Sequence, residues 1–207
     1  MKTFLAATFI LIGLSSHSQI VPKSRFIGGD VTAFYRSRAI LNWEEIGAGI
    51  RPQFGKFINE KWSFEVGANY YFHQLKIRDQ FEGFLETQRH TTTLGVNFGF
   101  TRYFELSDQF YFTLSAGASA DNIYTRNLLP DFPSETRMPI EAGIRPGLIY
   151  FLNPKWMLSA NFGALKYSAW FNNVETPDIY FGFDFSSYAS GIGVNYIIEP
   201  RKKRVKN

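Results

Sequence analysis

The chain contains no cysteine, and this absence excludes several classes of protein. A disulfide scaffold, a thiolate-ligated metal site and a lipid-anchored lipoprotein all require cysteine. Charge is also scarce, at 19% of the residues, whereas soluble domains usually carry about 25%. The net charge of +4 is too small by itself to argue for a nucleic-acid partner.

Long apolar runs are missing after the first few residues. Residues 4–14 are mostly apolar, follow Lys2 and precede a Ser-His-Ser sequence that ends at Ser18. This arrangement predicts an export signal peptide over residues 1–18, removed after Ser18. A short transmembrane anchor is the alternative, but the run is about half of the roughly 20 residues that a spanning helix needs. An exported chain gives further reason to expect no nucleic-acid partner.

Aromatic residues, in contrast, are abundant, at 18% of the chain with 22 Phe and 11 Tyr. They alternate with small polar residues: in residues 93–101, Leu, Val and Phe alternate with Thr, Gly and Asn. A period of two is typical of a strand with two unlike faces. We predict eight such strands, over residues 25–36, 43–57, 62–73, 93–101, 110–119, 138–150, 155–167 and 188–198.

The connections between these strands alternate in length. Short polar turns at 59–61, 106–109 and 153–155 alternate with long loops at 37–42, 74–90, 122–137 and 168–181. Outer-membrane barrels have short periplasmic turns and longer extracellular loops. We therefore predict an all-β fold, an eight-stranded antiparallel transmembrane β-barrel over residues 19–200, after a cleaved signal peptide. Residues 201–207 are predicted to form a basic periplasmic tail, most simply a solvated one.

A secreted lipocalin-type barrel is the alternative of similar size, and the two classes differ in which face is apolar. The polar face here is rich in Gly, Ser, Thr and Asn, which suit the narrow interior of an eight-stranded barrel. The apolar face carries Trp, Phe and Leu, which would overfill a ligand cavity. We therefore expect the apolar face to contact lipid, with aromatic residues near the strand ends, among them Trp62, Tyr103 and Trp156, at the membrane interfaces.

Several short motifs resemble a known family. The stretch 50–57, IRPQFGKF, followed by NEKW at 59–62 and VGANY at 66–70, is similar to the P-x-φ-G-Y-F…G-x-x-Y hairpin of the outer-membrane β-barrel domain family. That family comprises porin-like small barrels common in Bacteroidota. Further likenesses are LNPKWML at 152–158 and the closing strand GIGVNY at 191–196.

The resemblance implies a fold and an outer-membrane location, and it brings no catalytic residues. Two positions depart from the family pattern. Lys56 stands where the family usually has Tyr, and the final strand ends in Ile198 rather than Phe. Because assembly machinery commonly reads a terminal aromatic residue, Tyr196 is expected to serve instead.

Four charged residues on the inward parity are the candidate site: Arg51, Glu65, Glu141 and Arg145. Arg51 and Glu65 are expected on diagonal positions of one hairpin. Glu141 and Arg145 lie about 13 Å apart along one strand, so each needs a partner on a neighbouring strand. We predict a structural ion-pair network that fills the lumen, because an unpaired buried charge is costly. An ion path or gate is the alternative.

Histidine offers little further chemistry. His73 and His90 flank the first long loop, but neither has a Ser two positions on, as the lipid A-modifying barrel enzymes would require, and His90 falls on the apolar parity. We expect them to be rim residues. No His and carboxylate residues have metal-ligand spacing, and no cofactor is expected.

The predicted function therefore belongs to the loops. Exposed apolar residues there, Phe81, Phe84, Leu128 and Phe132, suit contact with a partner. We predict a non-enzymatic outer-membrane protein of a Gram-negative bacterium, with an envelope-structural, surface-interaction or secretion-accessory role. Its expected partners are outer-membrane lipid, lipopolysaccharide and an envelope protein. A narrow channel for small ions or solutes and a lipid A-modifying enzyme are the alternatives.

Overall fold

A computed structural model of the chain describes residues 20–38, 43–78, 86–127, 133–171, 178–185 and 190–200. The predicted signal peptide, the basic tail at 201–207 and the loop residues Phe81, Phe84, Leu128 and Phe132 lie outside these ranges. Within them, no helix is long and apolar enough to cross a membrane.

The described residues form ten strand segments. They are β1 (Arg25–Arg38), β2 (Trp43–Asn59), β3 (Trp62–Arg78), β4 (Glu86–Ser107), β5 (Phe110–Asn127), β6 (Glu135–Asn153), β7 (Trp156–Asn161), β8 (Ala164–Phe171), β9 (Asp178–Asp184) and β10 (Gly191–Ile198).

These segments close into a ring of eight barrel strands. β1 to β6 pair antiparallel in chain order. β7 and β8 both pair with β6 and form the seventh barrel strand, while β10 pairs with β7 and β9 with β8 to form the eighth. β10 then pairs with β1, placing Ile198 opposite Arg25. The predicted eight-stranded antiparallel barrel is confirmed.

The seventh barrel strand is interrupted by a bulge at Phe162 and Gly163. Gly147 pairs with Asn161, but Ile144 pairs with Leu165, so one extra residue stands on this strand. Gly163 has a φ of 75°, which glycine adopts at little cost because it has no Cβ. The bulge explains why one predicted strand, 155–167, appears as two segments.

The strands extend further than predicted. β3 continues to Arg78 and β4 begins at Glu86, so much of the predicted loop 74–90 is a paired hairpin. The predicted loop 122–137 is shortened in the same way. Beyond the apolar belt the outward positions become polar, as where Glu44 lies opposite Lys76. The alternation of hydrophobicity then disappears although backbone pairing continues.

The two faces are oriented as expected. On β4 the outward side chains of Leu94, Val96 and Phe98 are 62%, 63% and 55% exposed. Polar residues such as Asn69 and Thr101 point inward and are buried. This arrangement is the reverse of a lipocalin, which keeps its apolar side chains inside.

The two ends of the barrel differ in their connections. The turn end carries the tight turns that join β2 to β3, β4 to β5 and β6 to β7, together with the start of β1 and the end of β10. The loop end is the opposite one.

Candidate functional site in the barrel lumen

An apolar layer closes the lumen at the turn end. We call it the floor cluster; its members are Ile20, Phe26, Phe57, Tyr103, Tyr111, Ile149, Phe151, Met157 and Ile197. Every member is at most 6% exposed. Aromatic rings follow one another around the wall, with centroid separations of 5.2 Å from Phe26 to Phe57 and 5.5 Å from Phe57 to Tyr103. The nine side chains of the floor cluster thus occupy this level of the lumen.

Backbone and side chains fit closely in the floor cluster. The Phe26 ring occupies the space where a side chain at position 55 would begin, so Gly55 is required there. Ser63 is fully buried, and its Oγ lies 3.0 Å from the hydroxyl oxygen of Tyr103. The Tyr103 hydroxyl is therefore hydrogen-bonded, as a buried hydroxyl should be.

The segment before β1 completes the floor from below. Ile20 is 5% exposed and packs in the floor cluster. The backbone N–H of Lys23 donates to the carbonyl of Phe57, and the N–H of Phe57 donates to the carbonyl of Ser24. These bonds fix residues 20–24 beneath the barrel.

One floor residue, Tyr103, does not lie where the sequence pattern predicts it. Tyr103 was expected at the outer interface, but it points inward and is 3% exposed. Its parity on β4 matches that of Thr101 and Asn97, both inward residues. The available signal was an aromatic residue on the polar parity two or three residues before a short turn, repeated at Phe57 and Phe151.

Above the floor, Arg51 forms a buried ion pair with Asp30. Arg51 Nε donates to Asp30 Oδ1 at 2.8 Å, and the two side chains are 6% and 9% exposed. Asp30 lies directly opposite Arg51 on the adjacent strand. The expected diagonal pairing of Arg51 with Glu65 is wrong, because the register places Glu65 opposite Gly55.

Glu65 belongs to a different group. Its Oε1 accepts a hydrogen bond from Ser63 Oγ at 2.8 Å, and the same Ser63 Oγ contacts Tyr103. Glu65 therefore joins the polar layer to the floor cluster. The sequence therefore predicts the face of Glu65 correctly, but it does not predict the partner of Glu65.

Glu141 has partners on a neighbouring strand, as expected. Its Oε1 accepts from Lys166 Nζ at 3.0 Å and from Ser168 Oγ at 2.8 Å. Lys166 also pairs with Asp184 Oδ2 at 2.9 Å. A cation between two carboxylates thus connects β6, β8 and β9. Lys166 was not singled out from the sequence, because the bulge at Gly163 shifts its parity. Asp184 was not singled out because it lies outside the predicted strands.

Arg145 differs from the other three candidates. It lines the lumen cavity, yet within the described residues no carboxylate lies within ion-pair distance of it. Asp30, Arg51 and Glu141 line the same cavity. The structure therefore brings Arg145 to the same cavity as the other candidates without a direct salt bridge.

A ladder of amides continues the polar layer. Asn97 Nδ2 donates to Asn69 Oδ1 at 2.7 Å, and Asn69 Nδ2 donates to Asp121 Oδ1 at 3.0 Å. Ser119 Oγ donates to the other oxygen of Asp121 at 3.2 Å. These side-chain hydrogen bonds link three adjacent strands across their inner face, in addition to the backbone pairing of the strands.

The rim at the loop end contains a histidine–carboxylate contact. His73 Nε2 lies 2.8 Å from Glu45 Oε1, and an Arg36 nitrogen lies 3.7 Å from the other oxygen of Glu45. His90 is on the outer face, where its ring packs at 5.9 Å against Phe72. Both positions agree with their sequence parity.

The remaining space is a cavity of about 470 Å³. It extends from floor residues such as Phe26 and Met157 to Thr91 and Thr125 near the loop end. Among the described residues, no group of three or more His, Asp or Glu side chains could hold a metal ion. The cavity can hold water or a small polar molecule, and it is blocked by the floor cluster at the turn end.

Comparison with known proteins gives limited similarity. No protein-family model matches the chain, and no curated protein matches it. The crystal structure of the N-terminal β-barrel domain of Pseudomonas aeruginosa OprF is 15% identical, with a TM-score of 0.38, over 86% of this chain and 98% of that one. The crystal structure of Ail, the attachment invasion locus protein of Yersinia pestis, is 13% identical, with a TM-score of 0.41, over 86% of this chain and 100% of that one. At these values the similarity adds no argument to the barrel already defined by its strand pairing.

Proposed function

We propose that this chain is a non-conducting, non-enzymatic β-barrel of the outer membrane of a Gram-negative bacterium, serving envelope structure or surface interaction through its loop end. The support for a membrane location is the inverted barrel, apolar outside and polar inside. Exposed Leu94, Val96 and Phe98 would be costly in water and are suited to hydrocarbon. A closed barrel also satisfies its backbone hydrogen bonds internally, as hydrocarbon requires.

The floor cluster is the observation that supports a non-conducting lumen. Ions need a continuous polar path, and this layer of nine buried side chains interrupts it. The polar layer above is occupied by ion pairs such as Arg51 with Asp30. Both features argue against the narrow channel.

The lipid A-modifying enzyme is also disfavoured. Such chemistry would need a serine near His73, but the residues opposite His73 on the two neighbouring strands are Gly47 and Thr91. The close contact between His73 Nε2 and Glu45 Oε1 is better explained as a polar contact that holds the rim. A lipid A profile with and without the protein should therefore be identical.

Planar-bilayer recording tests the proposal. We expect the wild type to insert without steady conductance. Substituting Phe57→Ala together with Phe151→Ala removes two rings that are at most 1% exposed and should create a measurable conductance. The matched control, Phe98→Ala with Phe100→Ala, removes two outward rings and should leave the lumen closed.

A steady, ion-selective conductance of the wild type would refute the closed-lumen proposal. Failure of the wild type to enter a bilayer would refute the membrane location itself. The two outcomes are separated by first measuring how much protein floats with the vesicles in a density gradient.

A further inference from the structure

Two basic side chains stand directly opposite each other on the outer face at the turn end. Arg25 of β1 pairs in register with Lys56 of β2, and both side chains are exposed. Directly opposed like charges destabilise a sheet unless something else compensates them.

A third basic residue continues this surface two strands away. Arg102 of β4 lies opposite Trp62 of β3, and its guanidinium carbon is 5.3 Å from the Trp62 ring and 5.1 Å from the Phe104 ring. Cation–π contacts on both sides keep the guanidinium against the barrel wall. Arg102 nevertheless remains exposed.

Across the part of the chain that the structure describes, none of Arg25, Lys56 and Arg102 forms an ion pair with a carboxylate. Lys23 and Lys61 flank the same end and are likewise exposed. We call Arg25, Lys56 and Arg102 the basic patch.

The half of the turn end formed by β5, β6 and β7 differs in its outward strand residues. The corresponding outward residues on β5, β6 and β7 include Phe112, Leu152 and Trp156, which are uncharged. The basic patch is therefore restricted to β1–β4. Lys155, in the turn between β6 and β7, is a further exposed basic residue at this end, and Glu60, Glu105 and Asp108 are exposed acidic ones. What distinguishes the basic patch is the direct opposition of Arg25 and Lys56.

We propose that the basic patch binds the phosphate of an anionic glycerophospholipid in the membrane leaflet at the turn end. Arg25 and Lys56 donate to one phosphate from both sides, which removes their mutual repulsion. Arg102, held at the aromatic level by Trp62, attracts the same class of headgroup. The acyl chains then lie along exposed Ile27 and Phe54, the next outward residues on β1 and β2.

This inference rests on the proposed membrane location. Phospholipid phosphate is favoured over lipopolysaccharide phosphate because the basic patch is at the turn end, which faces the periplasmic leaflet in the proposed orientation. Basic residues near an anionic lipid surface each contribute a salt-sensitive attraction.

Native mass spectrometry of the full chain, released from nanodiscs of mixed phosphatidylethanolamine and phosphatidylglycerol, tests the inference. We expect the wild type to retain phosphatidylglycerol in preference to phosphatidylethanolamine. Arg25→Gln with Lys56→Gln should lower that retention by about fivefold for each charge removed. Arg102→Gln, which leaves the Arg25–Lys56 pair intact, should produce a smaller loss.

The matched control is Lys76→Gln with Arg126→Gln, which removes the same charge from outward positions at the loop end and should leave phosphatidylglycerol retention unchanged. Equal loss in this control, or wild-type retention in the Arg25/Lys56 variant, would overturn the inference. A barrel that enters nanodiscs without lipid preference would overturn this inference alone, whereas one that does not enter them would refute the proposed membrane location.

Discussion

The floor cluster and the polar layer above it are built from the same strands but are stabilised in different ways. In the floor, Phe26, Phe57 and Phe151 are at most 1% exposed and pack as a small protein core does. One layer higher, Arg51 and Asp30 are almost as deeply buried but depend on a single directional contact of 2.8 Å. The floor tolerates small losses of contact, because its energy is distributed over many pairs of atoms. The polar layer should not, because each partner is essential to the other.

This comparison indicates how a narrow barrel is filled. Halfway along the barrel, where the outer face is apolar, small polar residues and ion pairs fill the lumen. At the turn end, both faces carry aromatic residues: Phe104 outside and Tyr103 inside are adjacent in sequence. An inward apolar layer is therefore a local core that closes the barrel.

The largest effect is expected at the ion pair. Asp30→Ala leaves the Arg51 guanidinium buried without its partner and should lower the free energy of unfolding by about 3–5 kcal/mol. Urea unfolding in lipid vesicles measures it. A double-mutant cycle on Asp30 and Arg51 should show strong coupling, and a cycle on Arg51 and Glu65 should show almost none. Coupling in the second cycle and not in the first would restore the pairing that we expected from the sequence.

An intermediate effect is expected on the outer face. Phe98→Arg places a charge in the proposed hydrocarbon and should cost about 2–4 kcal/mol in the same vesicle assay. Asn97→Ser, the adjacent inward residue, loses the hydrogen bond to Asn69 and should cost about 1 kcal/mol. If both variants were equally stable, the outer face would not be in contact with lipid.

The smallest effect is expected in the floor. Tyr103→Phe keeps the ring and removes the hydroxyl that lies 3.0 Å from Ser63 Oγ. The loss should be about 1 kcal/mol, as for a single neutral hydrogen bond. Thermal unfolding, monitored by electrophoretic mobility, is sufficient to compare the stability of Tyr103→Phe with that of Asp30→Ala. A loss as large as that of Asp30→Ala would mean that the floor also depends on polar contacts.

The sequence predicts the barrel well because period-two alternation specifies both the strand and its faces. The inward positions of Arg51, Glu65, Glu141 and Arg145 follow from parity alone, and the structure agrees with all four. The number of strands follows from the number of turns and loops that separate them. These properties are local, so a single sequence contains them.

The partners of these residues could not be predicted, because they depend on register between strands. Asp30 is 21 residues from Arg51 in the chain, and only the pairing of β1 with β2 brings them together. The extra residue at Gly163 similarly changes the parity of Lys166, and no residue pattern around it indicated a bulge. Strand ends were placed too early at His73, because pairing continues where the outer face becomes polar.

The pairing of Arg25 with Ile198 has a consequence for how the chain folds. These residues belong to the first and last strand segments, so the ring cannot close until nearly the whole chain is available. Pairings between residues so distant in sequence form slowly, because loop-closure entropy must be overcome first. Until then the two outermost strands expose unpaired edges beside aromatic side chains, a combination that promotes aggregation. The chain therefore needs protection during its passage to the membrane, and a variant that weakens only the β1–β10 ladder should be detected first as a slower assembly rate.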